Sequence, residues 1–404
     1  MKYIVMLGDG MADRPIEALG GKTPLEYADT PCMDRLAEKS EMGMVRTVPG
    51  DMSPGSDVAN LSVLGYDPQV YYTGRSSLEA LSNGVDMKDT DVAFRCNFVT
   101  LSEDDVPYTE QRMLDHSSGE ISTQDCAVLL EAIRAEMETE VYKFYVGTSY
   151  RHLMIWDRGE VMGLVPPHDI IGKPIGSSLP SDAVLRDMMS RSFEILKDHP
   201  LNLERKAKGL NPANSIWFWG AGTRPTLSSF YEKNGKKAAM ISAVDLLKGL
   251  AVGAGMDNII VEGANGGLHT NYEGKAAAAV KALLEDGEDF VYIHLEAPDE
   301  MGHQGSVERK VQSIENLDKR LLAPVVEAMD ASGEDYRLVV LPDHPTPICT
   351  QTHSSDPVPF MIFDSRRDIH SGRHYNEKEA GQTGLYIENG YTLMDHLFEK
   401  YSSK

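Results

Sequence analysis

Residues 1–10 read Met-Lys-Tyr-Ile-Val-Met-Leu-Gly-Asp-Gly, a short apolar run that ends in a glycine-bracketed aspartate. An unbroken apolar run with a polar residue at its carboxyl end is the pattern of a buried parallel strand. The form recurs at Ile259–Val261 before Glu262-Gly263, at Phe290–Leu295 before Glu296, and at Leu338–Leu341 before Pro342-Asp343. Helical stretches lie between these runs: Ser242–Ala254, Tyr272–Glu285 and Val307–Met329, the last entered through Gly305-Ser306 in the manner of a capped start. Strands alternating with helices predict an α/β fold, a mostly parallel sheet flanked by helices, with ligands at the carboxyl ends of the strands.

The middle of the chain reads differently. Between about 85 and 180 the candidate strands are Phe94–Val99, Phe144–Val146 and His152–Trp156, with one long helix near Cys126–Glu138 and a Pro/Gly-rich exit from Val165 to Pro180. Asp9 and Ser56 precede this stretch and the other chemical motifs follow it. The economical division is a core of residues 1–84 and 181–404, with 85–180 as an inserted, smaller α+β domain that binds substrate and acts as a lid.

The chain has 404 residues, 41% of them hydrophobic and 25% charged, enough to bury a substantial core in more than one folding unit. It carries 62 acidic against 39 basic side chains, a net charge of −23 that repels nucleic acid and anionic membranes. A small anion would need a local cluster of arginines and metal ions to reverse that field. The first apolar run meets Gly-Asp-Gly instead of a cleavage site, and no run approaches the roughly 20 residues that span a bilayer. A cytoplasmic protein is expected. Cys32, Cys96, Cys126 and Cys349 are scattered, with no Cys-x-x-Cys pair, and are expected to be reduced, buried and structural.

The chemistry-bearing residues gather where apolar runs end. Asp9 follows the first; Asp299 and His303 stand four apart in Pro298-Asp299-Glu300-Met301-Gly302-His303; Asp343-His344 follow another; His353 sits in Thr352-His353-Ser354. Carboxylates and imidazoles without thiolates suit borderline or harder divalent ions. Six such side chains are too many for one tetrahedral ion and about right for two ions clamping the oxygens of a phosphoryl transfer. Taken alone, Asp9 reads as a cap and His353 as a structural histidine; only the conjunction argues for metal.

A second signal is Val48-Pro49-Gly50-Asp51-Met52-Ser53-Pro54-Gly55-Ser56-Asp57, a loop-forming run entering the apolar-periodic segment Val58–Leu64. It places Ser56 at or near a helix N-terminus, where N–H groups and the helix dipole favour an alkoxide or phosphate. An ordinary N-cap serine satisfies the same spacing. A serine hydroxyl needs a base or metal to become a nucleophile, and the Asp/His set supplies one. Arginine forks suit phosphate and carboxylate oxygens, and the candidates for binding substrate are Arg75, Arg95, His116, Arg151, His152 and His168. The strand Ser215–Gly222 reads as core packing. Gly263–His269 lacks the Gly-Lys-Ser/Thr ending of a nucleotide loop and reads as a turn.

Taken together, Gly8–Pro15, Pro54–Tyr66, Ala93–Asn97, Ser149–His152, Pro298-Asp299 with Gly302-His303, Asp343-His344, and His353 with Asp356–Pro359 resemble the archaeal-type cofactor-independent phosphoglycerate mutases of the alkaline phosphatase superfamily. The resemblance runs nearly end to end. It implies an alkaline-phosphatase-like core with one ion on Asp9, Ser56, Asp343 and His344, and a second on Asp299, His303 and His353. It further implies that Ser56 takes the phosphoryl group from 3-phosphoglycerate and returns it to the 2-hydroxyl, with no bisphosphoglycerate. Two divalent ions are expected, Mn²⁺ before Zn²⁺, Mg²⁺ or Co²⁺. The alternative on the same core is a homoserine phosphotransferase or a phosphatase.

Overall fold

The computed structural model describes residues 1–400. Its strands are, in chain order, β1 (Lys2–Gly8), β2 (Glu41–Val45), β3 (Asp91–Leu101), β4 (Met113–Asp115), β5 (Tyr142–Thr148), β6 (Arg151–Asp157), β7 (Ser215–Thr223), β8 (Ala238–Ile241), β9 (Asp257–Ile259), β10 (Phe290–Leu295), β11 (Tyr336–Leu341), β12 (Val358–Asp364) and β13 (Tyr386–Ile387). The chain divides into two compact units, Met1–Tyr72 with Thr226–Lys404, and Thr73–Pro225.

The first unit is built on an eight-stranded sheet of order β13-β2-β12-β11-β1-β10-β8-β9. Strand β1 runs parallel to β10 and β11, and β10 parallel to β8; β12 is antiparallel to both β11 and β2. Ile4, Val5, Met6 and Leu7 are all fully buried, because helices cover both faces of the central strands. Those helices include Tyr272–Leu284, close to the expected bounds, and Asp245–Gly253, which starts later than expected. The expected helix Val307–Met329 is interrupted: Val307–Asn316 and Ala323–Ser332 are joined by a π-helical stretch, Leu317–Leu322. There the Asp318 carboxylate accepts the N–H groups of Cys32 and Met33, in the first turn of the helix Pro31–Ala37.

This topology positions the chemistry. Leu7 lies level with His294 on one side and Leu341 on the other, so the residues that follow β1, β10 and β11 leave the sheet at one edge. Because β12 is antiparallel, the segment that precedes it, with His353, reaches the same edge. The second reversal, at β2, sends the segment leading to Ser56 there as well.

The second unit is an antiparallel sheet of order β4-β3-β6-β5, with β7 also paired to β3. Every residue of β3 is buried. Phe94, Cys96 and Phe98 face one core, shared with the helices Thr123–Met137 and Ala183–Leu196; Ala93 faces the other, shared with the helix Arg75–Ser82. The unit is therefore larger than residues 85–180. Strand β7 completes the sheet from the far side of the sequence, and the helices Arg75–Ser82 and Ala183–Leu196 supply its two coverings. Cys32, Cys96 and Cys126 are buried as expected, whereas Cys349 is exposed.

Candidate metal and nucleophile site

Asp9 leaves β1 into a turn that only glycine permits. Gly10 has φ +61°, and a Cβ there would lie 2.6 Å from Asp299 Oδ1 and 2.5 Å from Thr346 Oγ1. The bare backbone lets Gly10 N–H donate to Asp343 Oδ1 at 3.1 Å, tying the end of β1 to the end of β11. Asp299 and His303 lie on the helix Ala297–His303, one turn apart on one face, with His303 Nε2 3.2 Å from Asp299 Oδ2. His353 Nε2 stands 3.4 Å from Asp299 Oδ1 and 3.0 Å from His303 Nε2. His344 Nε2 is 3.4 Å from Asp343 Oδ2 and 3.6 Å from Asp9 Oδ1.

Ser56 is not an N-cap. Gly55 holds the cap position and Ser56 is the first residue of the helix Ser56–Val63. Its hydroxyl points into the cluster, 3.1 Å from His344 Nε2 and 3.4 Å from Asp9 Oδ2. Asn60, one turn on, donates to Ser56 O and to Asp343 Oδ2, at 2.8 and 2.9 Å, so the helix start is anchored to the carboxylate it faces.

The second nitrogen of these imidazoles is turned outward. His303 Nδ1–H donates to Gln351 O at 2.9 Å, and His353 Nδ1 faces Pro54 O at 3.4 Å. A backbone carbonyl at Nδ1 leaves Nε2 facing the cluster, which is how metal-binding histidines are held. Asp9, Asp343 and His344 are almost wholly inaccessible. Burial first, then the charges of Asp343 and Asp299, push the Asp9 carboxyl well above its ordinary range. Burial also acts to raise Asp299, but hydrogen bonds from His303 and His353 overcome it and carry that carboxyl well below. The hydrogen bond to Asp299 raises His303 to about 9, while burial lowers His344.

A divalent cation fits this donor set. Asp9 Oδ1 is buried with no hydrogen-bond partner. Leaving such an oxygen unpaired costs about 1–3 kcal/mol, more if charged, unless a cation satisfies it. Two groups bring their ligand atoms within 4.8 Å of one another: Asp299, His344 and His353, and Asp9, His294 and Asp343. His344 sits between the two sets, its Nε2 also lying 3.4 Å from Asp343 Oδ2 and 3.6 Å from Asp9 Oδ1. The second contains His294, which the sequence reading passed over as part of an apolar strand. It is fully buried, its Nε2 lies 2.9 Å from Asp9 Oδ2, and burial lowers its pKa to about 3, so the imidazole is neutral.

The second unit holds a separate, cationic cluster. Gly74, at φ +117°, lets the entry to the helix Arg75–Ser82 pass against Ala221 O, where a Cβ would approach to 2.4 Å. On that helix Glu79 accepts both arms of Arg95, Nε at 2.7 Å and Nη2, and Arg75 Nε at 3.3 Å. Arg95 is buried and stacked on Trp219, 4.6 Å from the ring centre. A chain of rings continues from it: Trp219 to His168 at 5.5 Å, His168 to His116 at 6.1 Å, His116 to Tyr150 at 5.8 Å, with Arg151 over Tyr150 at 5.5 Å. Five of the six expected substrate-binding residues thus share one patch.

His152 is the exception. Strand alternation puts Arg151 and Leu153 on the face of Arg95, and His152 with Met154 on the opposite, helix-packed face. There His152 is buried edge-on against Phe98, and Nδ1 accepts the Gly147 N–H at 3.0 Å. Glu79, Tyr150 and Trp219 were not anticipated. Trp219 read as core because of its aromatic neighbours, yet it lies at the rim of that core beside Arg95.

The family model for 2,3-bisphosphoglycerate-independent phosphoglycerate mutase matches residues 37–202. A 2,3-bisphosphoglycerate-independent phosphoglycerate mutase of Methanosarcina barkeri is 48% identical over 98% of this chain and 99% of its own. Among solved structures, a Pyrococcus horikoshii protein superposes with a TM-score of 0.82 at 31% identity, covering 100% of this chain and 98% of its own. The cofactor-independent phosphoglycerate mutase of Thermoplasma acidophilum gives 0.65 at 29%, with all of both chains covered. On this full-length likeness the chain belongs to the 2,3-bisphosphoglycerate-independent phosphoglycerate mutase family.

Proposed function

We propose that the protein interconverts 3-phosphoglycerate and 2-phosphoglycerate in glycolysis, in the cytoplasm, through a phosphoryl group carried on Ser56. The observation that carries this reading is the Ser56 hydroxyl at the first turn of its helix, within 3.4 Å of both His344 Nε2 and Asp9 Oδ2. Asp9, Ser56, Asp343 and His344 would hold one divalent ion and Asp299, His303 and His353 the other, Mn²⁺ being the proposed metal. When bound, the ions supply Lewis acidity that lowers the serine pKa and offsets charge on the phosphoryl oxygens.

The remaining work falls to the chain. Ser56 loses its proton to solvent and Oγ bonds to phosphorus as the bond from phosphorus to the substrate 3-oxygen breaks, that oxygen taking up a proton to become the 3-hydroxyl; in the return step the 2-hydroxyl loses its proton, its oxygen bonds to phosphorus and the bond from phosphorus to Ser56 Oγ breaks. The N–H groups opening the helix Ser56–Val63 favour anionic oxygen at that position. Arg75, Arg95 and Arg151 against one glutamate leave a net positive site for the substrate's anionic groups, and the inserted unit is the proposed substrate-binding part. Phosphorus NMR of the Mn²⁺-reconstituted protein with 3-phosphoglycerate, and no bisphosphoglycerate, tests this. A rise of 2-phosphoglycerate to an equilibrium ratio is expected; inorganic phosphate alone, or no reaction, contradicts it.

A further inference from the structure

We infer that His294 is a positioning residue that holds the Asp9 carboxylate from behind and leaves its Oδ1 as the oxygen offered to a metal ion. The inference rests on the reading of Asp9 as a metal-holding group. With a cation on Oδ1 the Asp9 carboxylate is ionised and only accepts, so the 2.9 Å contact between His294 Nε2 and Asp9 Oδ2 then puts the proton on Nε2. In a neutral imidazole Nδ1 is then an acceptor, and Ser242 Oγ, 3.2 Å away, is its donor. Ser242 Oγ in turn accepts the Val244 N–H at 3.0 Å. Every donor in this chain has an acceptor: Val244 N–H to Ser242, Ser242 O–H to His294, His294 N–H to Asp9.

The arrangement argues against His294 as a ligand itself. Its one lone pair is directed at Ser242, away from the carboxylates. Its backbone is also fixed, since the fully buried Lys275 donates from Nζ to His294 O at 2.8 Å. Asp9 Oδ2 is engaged by this hydrogen bond, and Oδ1 is the buried atom with no partner. The same strand repeats the device two residues earlier. Tyr292 OH donates to Asn60 Oδ1, and Asn60 Nδ2 donates to Asp343 Oδ2 at 2.9 Å. Residues 292 and 294 share the face of β10 opposite Val291, Ile293 and Leu295, so one strand face serves both carboxylates.

Long-range proton–nitrogen NMR of the histidine-labelled full chain, metal-free and then titrated with diamagnetic Zn²⁺, tests the inference, with His294→Asn assigning the signal. His294 is expected to carry its proton on Nε2 in the Zn²⁺-loaded protein. Loss of that proton with a metal-induced shift of Nε2 would make it a ligand and overturn the positioning role. Calorimetric Zn²⁺ titration provides the second readout. His294→Leu is expected to keep two bound ions with one weakened about 10- to 100-fold, the usual effect of removing a group behind a metal ligand. His294→Asn retains a donor and should recover part of that affinity, which also covers a leucine variant that fails to fold. Wild-type affinity in both variants would overturn the inference. Wild-type protein that binds no Zn²⁺ would overturn the metal reading and this inference with it.

Discussion

The two clusters of this chain are opposite in charge and in the way their sheets assemble them. In the first unit, carboxylates and imidazoles converge because parallel strands deliver sequence-distant segments to one edge. In the second, arginines project from a helix, the middle of β3 and the start of β6, and are bound together by Glu79 and a chain of rings. The acidic cluster leaves Asp9 Oδ1 unpartnered and suited to a cation. The cationic cluster already carries its own counter-ion, so its arginines are stiff before any anion arrives. One site is built for a cation to complete; the other is preorganised by the protein.

The comparison breaks most visibly at Ser56. Ser56→Ala should lower turnover on the order of 10⁴-fold or more, as loss of a covalent nucleophile does, while calorimetry still finds both ions bound. Retained turnover would remove the covalent step. The next largest effect belongs to the other cluster. Arg95→Ala takes both Arg95 hydrogen bonds from the buried Glu79, which keeps that of Arg75, and should cost about 3 kcal/mol in urea unfolding. Arg95→Ala with Glu79→Gln should recover much of the stability but not substrate affinity. An Arg95→Ala protein of wild-type stability would show that the pair is not a strut.

Arg151 sharpens the contrast, since it lies on the Arg95 face and stacks over Tyr150. Arg151→Ala should raise KM about 10- to 100-fold, the worth of a charged hydrogen bond, with little change in unfolding. Equal loss of stability and KM would make it structural. The smallest effect is at His152, whose pKa burial lowers to about 4. A histidine held neutral in the fold stabilises fully above its unfolded pKa of about 6.5, and the contribution is lost as pH falls toward 4. From this group alone stability at pH 5 should be about 2 kcal/mol below that at pH 7, and His152→Phe should remove that part of the pH dependence.

How much of this was legible in the sequence follows from the same difference. Asp9, Asp299 and Asp343 could be found because each follows an apolar run that a parallel sheet must bury, and strand ends in such sheets meet at one edge. His294 was hidden because it sits inside such a run, where a lone histidine among Tyr292, Ile293 and Leu295 carries no periodic signal. The partition of His344 between the two sets depends on side-chain approach, which spacing does not encode. In the inserted unit, alternation along β6 separates Arg151 from His152, but the strand's bounds and register were needed to say which face was which. The bounds of that unit were underestimated because β7 joins its sheet from residues 215–223, beyond the Pro/Gly-rich exit taken as its end.

The central claim is that Ser56 carries the phosphoryl group. Acid-quenched turnover of the Mn²⁺-loaded protein with 3-phosphoglycerate, followed by peptide mass spectrometry, tests it most directly. The account predicts a phosphoryl group on Ser56 that appears during turnover and is absent without substrate; full mutase turnover with Ser56 unmodified at every quench time would contradict it.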